Sequence, residues 1–263
     1  MSASTDFPAG DSLADRSVAP AGDSLVDRSV IELARLLEHP AIWRGRSAAP
    51  RAEVLPTGYA ALDACLPGGG WPRTGLIEIL VPRFGVGEIY LLLPALAALT
   101  RRPAARWCVW VAPPLEPYAP ALAAHGAALE RMLVVRDPEA RPSGQRGNPQ
   151  RGRPSGQRGN PQRGLWAFEQ TLGSGASDIA LAWAARSPSP RGIRRLHLAA
   201  ERGKTLGVLF RPHRASLQSS AAILRVAVEA RGAGARVTFL KSRGGARGSI
   251  DISWQTTPAT GVE

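Results

Sequence analysis

The stretch that most constrains the fold is an apolar run interrupted by one short glycine-containing loop. It covers residues 76–99 and reads LIEILVPRFGVGEIYLLLPALAAL. A buried strand, a glycine turn and an apolar helix in this order are typical of a phosphate-binding P-loop, in which backbone N–H groups surround a phosphate. A chain built around such a unit is expected to form a sheet covered by helices.

The loop departs from a working P-loop at the positions that carry the chemistry. Glu88 stands where a lysine should reach the phosphates, Ile89 stands where a hydroxyl should bind Mg²⁺, and Val81 replaces the leading glycine. We therefore interpret the segment as a degenerate P-loop that binds no cofactor, with Glu88 at the positive N-terminal end of its own helix, in the place of a phosphate. Its residues are Val81, Pro82, Arg83, Phe84, Gly85, Val86, Gly87, Glu88 and Ile89.

Strand and helix patterns alternate around this loop. Helices are predicted over Ser29 to Leu37, Gly58 to Leu66 (capped by Thr57), Gly87 to Leu99, Tyr118 to His125, Leu165 to Ser174 and Arg191 to Glu201. Strands are predicted over Leu76 to Val81, Trp107 to Val111, Met132 to Val135, Ile179 to Trp183, Thr205 to Phe210, and in the segments 221–230, 235–242 and 249–255. The pattern predicts an α/β fold, a three-layer core with a mostly parallel central sheet and an antiparallel C-terminal flank.

Low-complexity segments set the expected domain boundaries. Residues 141–152 read RPSGQRGNPQRG, residues 153–164 repeat that string, and together they supply +6 of the net charge of +12. A segment of this composition is expected to be a disordered insertion, with weak adhesion to phosphate backbones as its functional alternative. The other boundaries are a tail over 1–28 with an imperfect 12-residue duplication, a helix and linker over 29–54, a core over 55–254, and a tail over 255–263.

Motifs in the core resemble those of RecA-type recombinases. The matching positions are Thr57, Gly58, Leu62, Asp63, Gly69, Gly70, Gly75 and Glu78. The chain resembles more closely the ImuA family, RecA-related accessory proteins of bacterial SOS mutagenesis, in the motifs GGGWPR, GVGE, WVAPPLEPYAPAL, and LFRP followed by LKSRGG. The resemblance covers roughly Val30 to Trp254, apart from the inserted repeat. The resemblance implies a RecA-like protein without ATPase activity. It would work beside ImuB, an inactive polymerase-like protein, and an error-prone C-family polymerase in translesion synthesis.

The resemblance also identifies which catalytic groups this chain lacks. RecA-like ATPases carry a carboxylate after the second core strand, where this chain has Ala112, and an acid at the end of a later strand, where it has Trp183 and Ala184. We therefore expect no enzyme activity. Two alternatives remain open, a divergent ATP-dependent recombinase and a SulA-like cell-division inhibitor, since related sequences carry the latter label.

Two further glycine patterns are expected to be coincidental. Gly203, Lys204 and Thr205 form a literal Gly-Lys-Thr, but they precede a strand, so we read a helix-ending glycine and an exposed lysine. Gly85 and Gly87 begin a dinucleotide-like pattern whose third glycine is replaced by Tyr90, which is too bulky for close helix packing.

Candidate contact surfaces follow from the same resemblance. In RecA-type cores DNA meets loops after the late strands, and here those segments carry Arg211, Arg214, Lys241, Arg243 and Arg247. They are interpreted as a basic rim for single-stranded DNA or, equally, as ordinary solvated arginines. The N-terminal helix and the following tryptophan are interpreted as a docking segment for a protein partner, RecA included, or as residues packed on their own core. These residues are Ile31, Leu33, Leu36, Leu37 and Trp43, with Trp254 as a second anchor or edge-packing residue.

Cysteine, histidine and hydropathy patterns indicate whether the chain has disulfides, a metal site or a membrane helix. Cys65 and Cys108 lie in apolar patterns and are expected to be reduced thiols, with a disulfide as the alternative. The four histidines have no metal-ligand spacing, so no metal site is predicted. No apolar run approaches the roughly 20 residues of a membrane helix, and we expect a cytoplasmic protein that associates with the nucleoid after damage.

Overall fold

The computed structural model describes residues 53–136, 161–242 and 247–254. Contacts divide the chain into two units, Met1–Ala49 and Pro50–Glu263, and every described residue belongs to the second. The predicted N-terminal helix, both predicted tails and most of the arginine repeat therefore lie outside the described residues.

The described strands form one small and one large sheet. They are β1 Val54–Leu55, β2 Trp71–Pro72, β3 Gly75–Val81, β4 Trp107–Val111, β5 Met132–Val135, β6 Ser177–Trp183, β7 Leu206–Pro212, β8 Leu224–Arg231, β9 Gly234–Ser242 and β10 Gly248–Ser253. The large sheet has the order β10-β9-β8-β3-β7-β6-β4-β5, and β1 pairs with β2. Strands β8 to β5 in that order are parallel, while β9 and β10 add antiparallel pairs. The expected mostly parallel sheet with an antiparallel C-terminal flank is confirmed.

Helices cover both faces of the large sheet. They are α1 Ala60–Cys65, α2 Leu93–Thr100, α3 Ala119–Ala124, α4 Pro161–Gly173 and α5 Pro190–Arg202, with 3₁₀ turns at Glu88–Leu91, Leu129–Arg131 and His213–Leu217. Within the described ranges, no helix combines the length and the apolar character that crossing a bilayer requires.

Side-chain alternation along β3 separates two hydrophobic layers. Ile77 and Ile79 pack in the cluster that contains Leu96 of α2. Leu76 points to the other face, where it packs with Phe168 of α4 and residues of α5. Because successive strand residues face opposite sides, one apolar strand serves both layers, as expected for a covered parallel sheet. The predicted three-layer arrangement is confirmed.

The segment before α1 differs from the prediction. The helix begins at Ala60 because Gly58 has a φ of 84°, which a right-handed helix does not allow. The Thr57 hydroxyl accepts the N–H of Tyr59 at 3.0 Å, and the Thr57 N–H donates to Asp63 Oδ1 at 2.9 Å. Thr57 therefore closes the turn that leads into α1 without capping the helix itself.

The helix predicted over Gly87 to Leu99 is also divided. Residues Glu88–Leu91 form a 3₁₀ turn, and α2 starts at Leu93 with Pro94 in its first turn. A proline ring clashes with the carbonyl four residues earlier in a continuous helix. Here that carbonyl, on Tyr90, accepts the Tyr59 hydroxyl at 2.7 Å instead.

The remaining boundaries agree closely with the sequence, with two additions. Helix α4 begins at Pro161, so the last residues of the second arginine repeat copy belong to a helix and not to a disordered insertion. Strands β1 and β2 were not predicted, and β2 carries Trp71, which is fully buried. Cys65 and Cys108 are free thiols, as expected, and burial raises the pKa of Cys108 to about 12.

Candidate functional site

The degenerate P-loop connects β3 to the 3₁₀ turn on the α2 face of the sheet. Gly85 and Gly87 have φ values of 83° and 97°, which direct the loop backbone into a compact left-handed turn. A Cβ atom on Gly85 would approach Leu115 Cδ1 to 2.7 Å. The two glycines therefore allow a loop conformation that other residues adopt only with strain.

The carboxylate of Glu88 is folded back into this loop. Gly85 donates its N–H to Oε1 at 2.9 Å and to Oε2 at 3.1 Å, and Val86 donates to Oε2 at 2.9 Å. Glu88 is buried, with 3% of its surface exposed. Converging backbone N–H groups are the arrangement that binds phosphate oxygens in a P-loop. A side chain of the same loop thus takes these donors. Glu88 was expected at the N-terminal end of its own helix, but it lies in a 3₁₀ turn and its donors belong to the preceding loop.

Alanines occupy the two positions at which the resemblance to RecA-like ATPases implies a carboxylate. Ala112 follows β4 in a left-handed conformation, with a φ of 47°, and donates its N–H to Val135 O at 2.8 Å. Ala184 follows β6, is buried, and donates its N–H to Phe210 O at 2.9 Å. Both positions serve backbone pairing at the carboxyl edge of the sheet. In the described ranges, no three His, Cys, Asp or Glu side chains are grouped so that they could hold a metal ion.

The two other glycine patterns belong to structural features. Gly203 ends α5, and a Cβ atom there would lie 2.0 Å from Leu172 O. Lys204 is exposed, and Thr205 is buried with its hydroxyl donating to Ser177 O at 2.9 Å. Tyr90 stacks on Trp254 with ring centroids 5.7 Å apart. The Gly-Lys-Thr triplet is thus a helix end, as predicted.

A buried charged cluster lies on the opposite face of β3. We call it the Glu78 cluster. Glu78 is fully buried, and its Oε1 accepts from Arg211 Nη1 at 2.7 Å while its Oε2 accepts from Arg225 Nε at 2.7 Å. The Ser220 hydroxyl also donates to Oε1, at 2.7 Å. Neighbouring strands β7, β3 and β8 are thereby joined through one carboxylate.

Arg211 belongs to this cluster and not to the predicted basic rim. It is 1% exposed, and its Nη2 donates to Gln218 Oε1 at 2.6 Å. A guanidinium held inside the core by a carboxylate and an amide cannot reach a phosphate backbone, so the prediction for Arg211 is wrong. The available signal was a charged residue inside or directly after each of three apolar segments, since buried charges require partners.

The other predicted contact residues are distributed over different elements. Exposed Arg214 follows β7 and donates to Ala185 O at 2.8 Å. Lys241, near the end of β9, donates to Ser220 O at 2.7 Å, and exposed Arg247 directly precedes the paired strand β10. Arg243 and the docking residues Ile31, Leu33, Leu36, Leu37 and Trp43 lie outside the described residues.

Trp254 is an edge-packing residue. Besides stacking on Tyr90, its ring meets Tyr59 edge to face at 5.9 Å. The backbone N–H of Trp254 donates to Ala233 O at 2.9 Å. Burial raises the pKa of Tyr59 to about 12. These contacts hold the end of the sheet against the 3₁₀ turn that follows the loop.

The chain was compared with protein families, curated proteins and solved structures. No protein-family model and no curated protein matches the chain. The chain is similar to the crystal structure of SulA from Pseudomonas aeruginosa, with 22% sequence identity and a TM-score of 0.37. The match covers 52% of this chain and 97% of the SulA chain. A similarity at that level carries no conclusion about function.

Proposed function

We propose that this protein is a non-catalytic, RecA-like accessory protein of error-prone translesion synthesis in the SOS response. It acts by binding ImuB and the error-prone C-family polymerase, with RecA and single-stranded DNA as further partners. The absence of ATPase activity in this proposal rests on one observation, that the Glu88 carboxylate accepts hydrogen bonds from the N–H groups of Gly85 and Val86. The motifs that resemble the ImuA family support the pathway and the partners.

Electrostatics disfavours the alternative of an ATP-dependent recombinase. A nucleotide phosphate entering the loop would lie beside the Glu88 carboxylate or would have to displace it. Two like charges about 4 Å apart repel by about 4 kcal/mol near a protein surface. The loop also lacks the lysine that would attract the phosphate, and alanines occupy both acidic positions. A glutamate in place of this lysine therefore makes the charge of the site negative instead of positive.

Association with ImuB tests the proposed role. Full-length protein co-expressed with tagged ImuB is expected to co-purify with it and to remain bound without nucleotide, because no ATP-dependent switch is available to the loop. The complex is measured by size-exclusion chromatography with and without Mg-ATP. The Leu33→Asp variant, in the predicted docking helix, is expected to weaken the complex, and the neighbouring Glu32→Gln variant is the matched control.

Two results would contradict this role. One is the absence of any complex with ImuB or the polymerase in either nucleotide state. The other is filamentous growth on overexpression that persists in cells without the mutagenesis polymerases, which would favour a division inhibitor.

A further inference from the structure

A cavity of about 300 Å³ opens beside the degenerate P-loop. It lies at the carboxyl ends of β4 and β6, where ligands bind in open parallel sheets. The loop over 113–117, helix α3 and the 3₁₀ turn form its other walls. The closed P-loop therefore borders a space that Glu88 does not fill.

Aromatic side chains and a carboxylate determine the chemistry of this cavity. The aromatic lining residues are Tyr90, Trp110, Tyr118, His125 and Trp183. Glu88 and Glu116 also line it, and none of the lining residues that the structure describes is a lysine or arginine. In a chain with 33 basic and 21 acidic residues, a cavity with this lining is unusual. Glu116 is paired with Arg136, so Glu88 supplies the net negative charge.

This lining disfavours anions and favours an organic cation. A carboxylate repels phosphate and carboxylate ligands, whereas aromatic faces attract ammonium and guanidinium groups. Arginine suits such a site better than lysine, because its planar guanidinium stacks on aromatic rings and is more weakly hydrated. His125 contributes its ring to this lining, and its Nδ1–H donates to the Ala121 carbonyl oxygen at 2.8 Å.

The mouth of the cavity carries exposed apolar side chains. Tyr118 is 71% exposed, Leu115 53% and Tyr90 39%. Exposed apolar groups around a pocket are typical of a protein-binding surface in which one anchor residue enters the pocket. A free small cation would make no use of this rim.

We propose that the cavity receives an arginine side chain carried on an extended segment of a partner protein. The guanidinium lies among the aromatic rings with the Glu88 carboxylate at its inner end, and the residues flanking the arginine contact Tyr118 and Leu115. Glu88 thereby has two roles, since it closes the loop to phosphate and supplies the charge that selects the partner's anchor. The inference rests on the proposed function only in taking the partner to be a protein.

Binding of a short peptide to the full-length protein tests this inference. The probe is a capped, fluorescein-labelled nonapeptide with one central arginine among alanine and serine, compared by fluorescence anisotropy with the same peptide carrying uncharged citrulline. The arginine peptide is expected to bind about tenfold more tightly. Tyr118→Ala and Glu88→Gln are expected to abolish that difference. Glu130→Gln, an exposed carboxylate outside the cavity lining, leaves it unchanged.

Three outcomes would overturn the inference. Equal binding of the arginine and citrulline peptides would show that the cavity does not recognise a positive charge. A preference for arginine that survives Tyr118→Ala would show that the arginine binds outside this cavity. N-acetylarginine amide binding as tightly as the peptide would make the cavity a small-cation site. The measurement uses neither ImuB nor nucleotide, so its failure is distinguishable from failure of the proposed role.

Discussion

Replacing Glu78 with alanine is expected to lower the free energy of unfolding by about 3–5 kcal/mol. The substitution leaves the guanidinium groups of Arg211 and Arg225 facing each other in the core without their shared carboxylate, and both are at most 6% exposed. Breaking a buried ion pair from one side costs far more than removing an exposed one, because the remaining charge cannot be solvated. Since domains are stable by only about 5–15 kcal/mol, a large part of the stability would be lost.

Urea unfolding followed by circular dichroism measures this effect. Glu229→Ala is the matched control, because Glu229 lies on β8 with its side chain exposed, and it should leave the transition midpoint nearly unchanged. Combining Glu78→Ala with Arg211→Met should cost less than the sum of the single changes, since the pair shares one interaction. A Glu78→Ala protein as stable as the control would contradict the burial and pairing of this cluster.

Replacing Glu88 with alanine is expected to lower the free energy of unfolding by about 1–3 kcal/mol. The carboxylate accepts three N–H contacts from Gly85 and Val86, and its removal leaves both donors without their charged acceptor. Gly85 is exposed, so water can replace part of the interaction, and the loss should be smaller than for Glu78. The loop is also expected to exchange its amide hydrogens faster at residues 85 and 86.

Urea unfolding and amide hydrogen exchange measure the two effects. Glu116→Ala is the matched control, because Glu116 lies nearby with an exposed side chain and pairs with exposed Arg136. Unchanged stability together with unchanged exchange at Gly85 and Val86 would be incompatible with a carboxylate seated in the loop.

The sequence was sufficient for the architecture because its strands are strongly apolar and separated by helical patterns. Strands β4 and β5 fall at the predicted residues, and the sheet has the predicted parallel centre and antiparallel flank. The boundaries that differ depend on single backbone conformations. Gly58 and Pro94 each interrupt a helical pattern that side-chain periodicity alone would continue.

Charged residues inside apolar strands were harder to interpret. Arg211 follows the apolar segment of β7 and looks like the first residue of a loop. Its partner Glu78 is 133 residues away in the chain. A pairing at that separation depends on the order of β3, β7 and β8 in the sheet, which local sequence does not contain. Periodicity therefore predicted the strand but not the direction in which its last charged side chain points.

The sequence predicted that Glu88 lies near backbone N–H groups, but it predicted neither the 3₁₀ turn in which Glu88 lies nor the donors of its hydrogen bonds. A glutamate beside glycines at a helix start is expected near positive backbone groups, but its rotamer depends on how the loop closes. The cavity next to it was not predicted either, because its walls come from β4, β6, α3 and the 3₁₀ turn, which are distant in the chain.

Equilibrium binding of a fluorescent ATP analogue with Mg²⁺ tests most directly the claim that the degenerate P-loop is closed by its own side chain. We predict no saturable binding by the full-length protein up to about 1 mM, where binding would be worth only about 4 kcal/mol. Micromolar affinity that Gly87→Ala or Glu88→Ala weakens would contradict it, because the loop would then hold a nucleotide with the very residues that are inferred to exclude one.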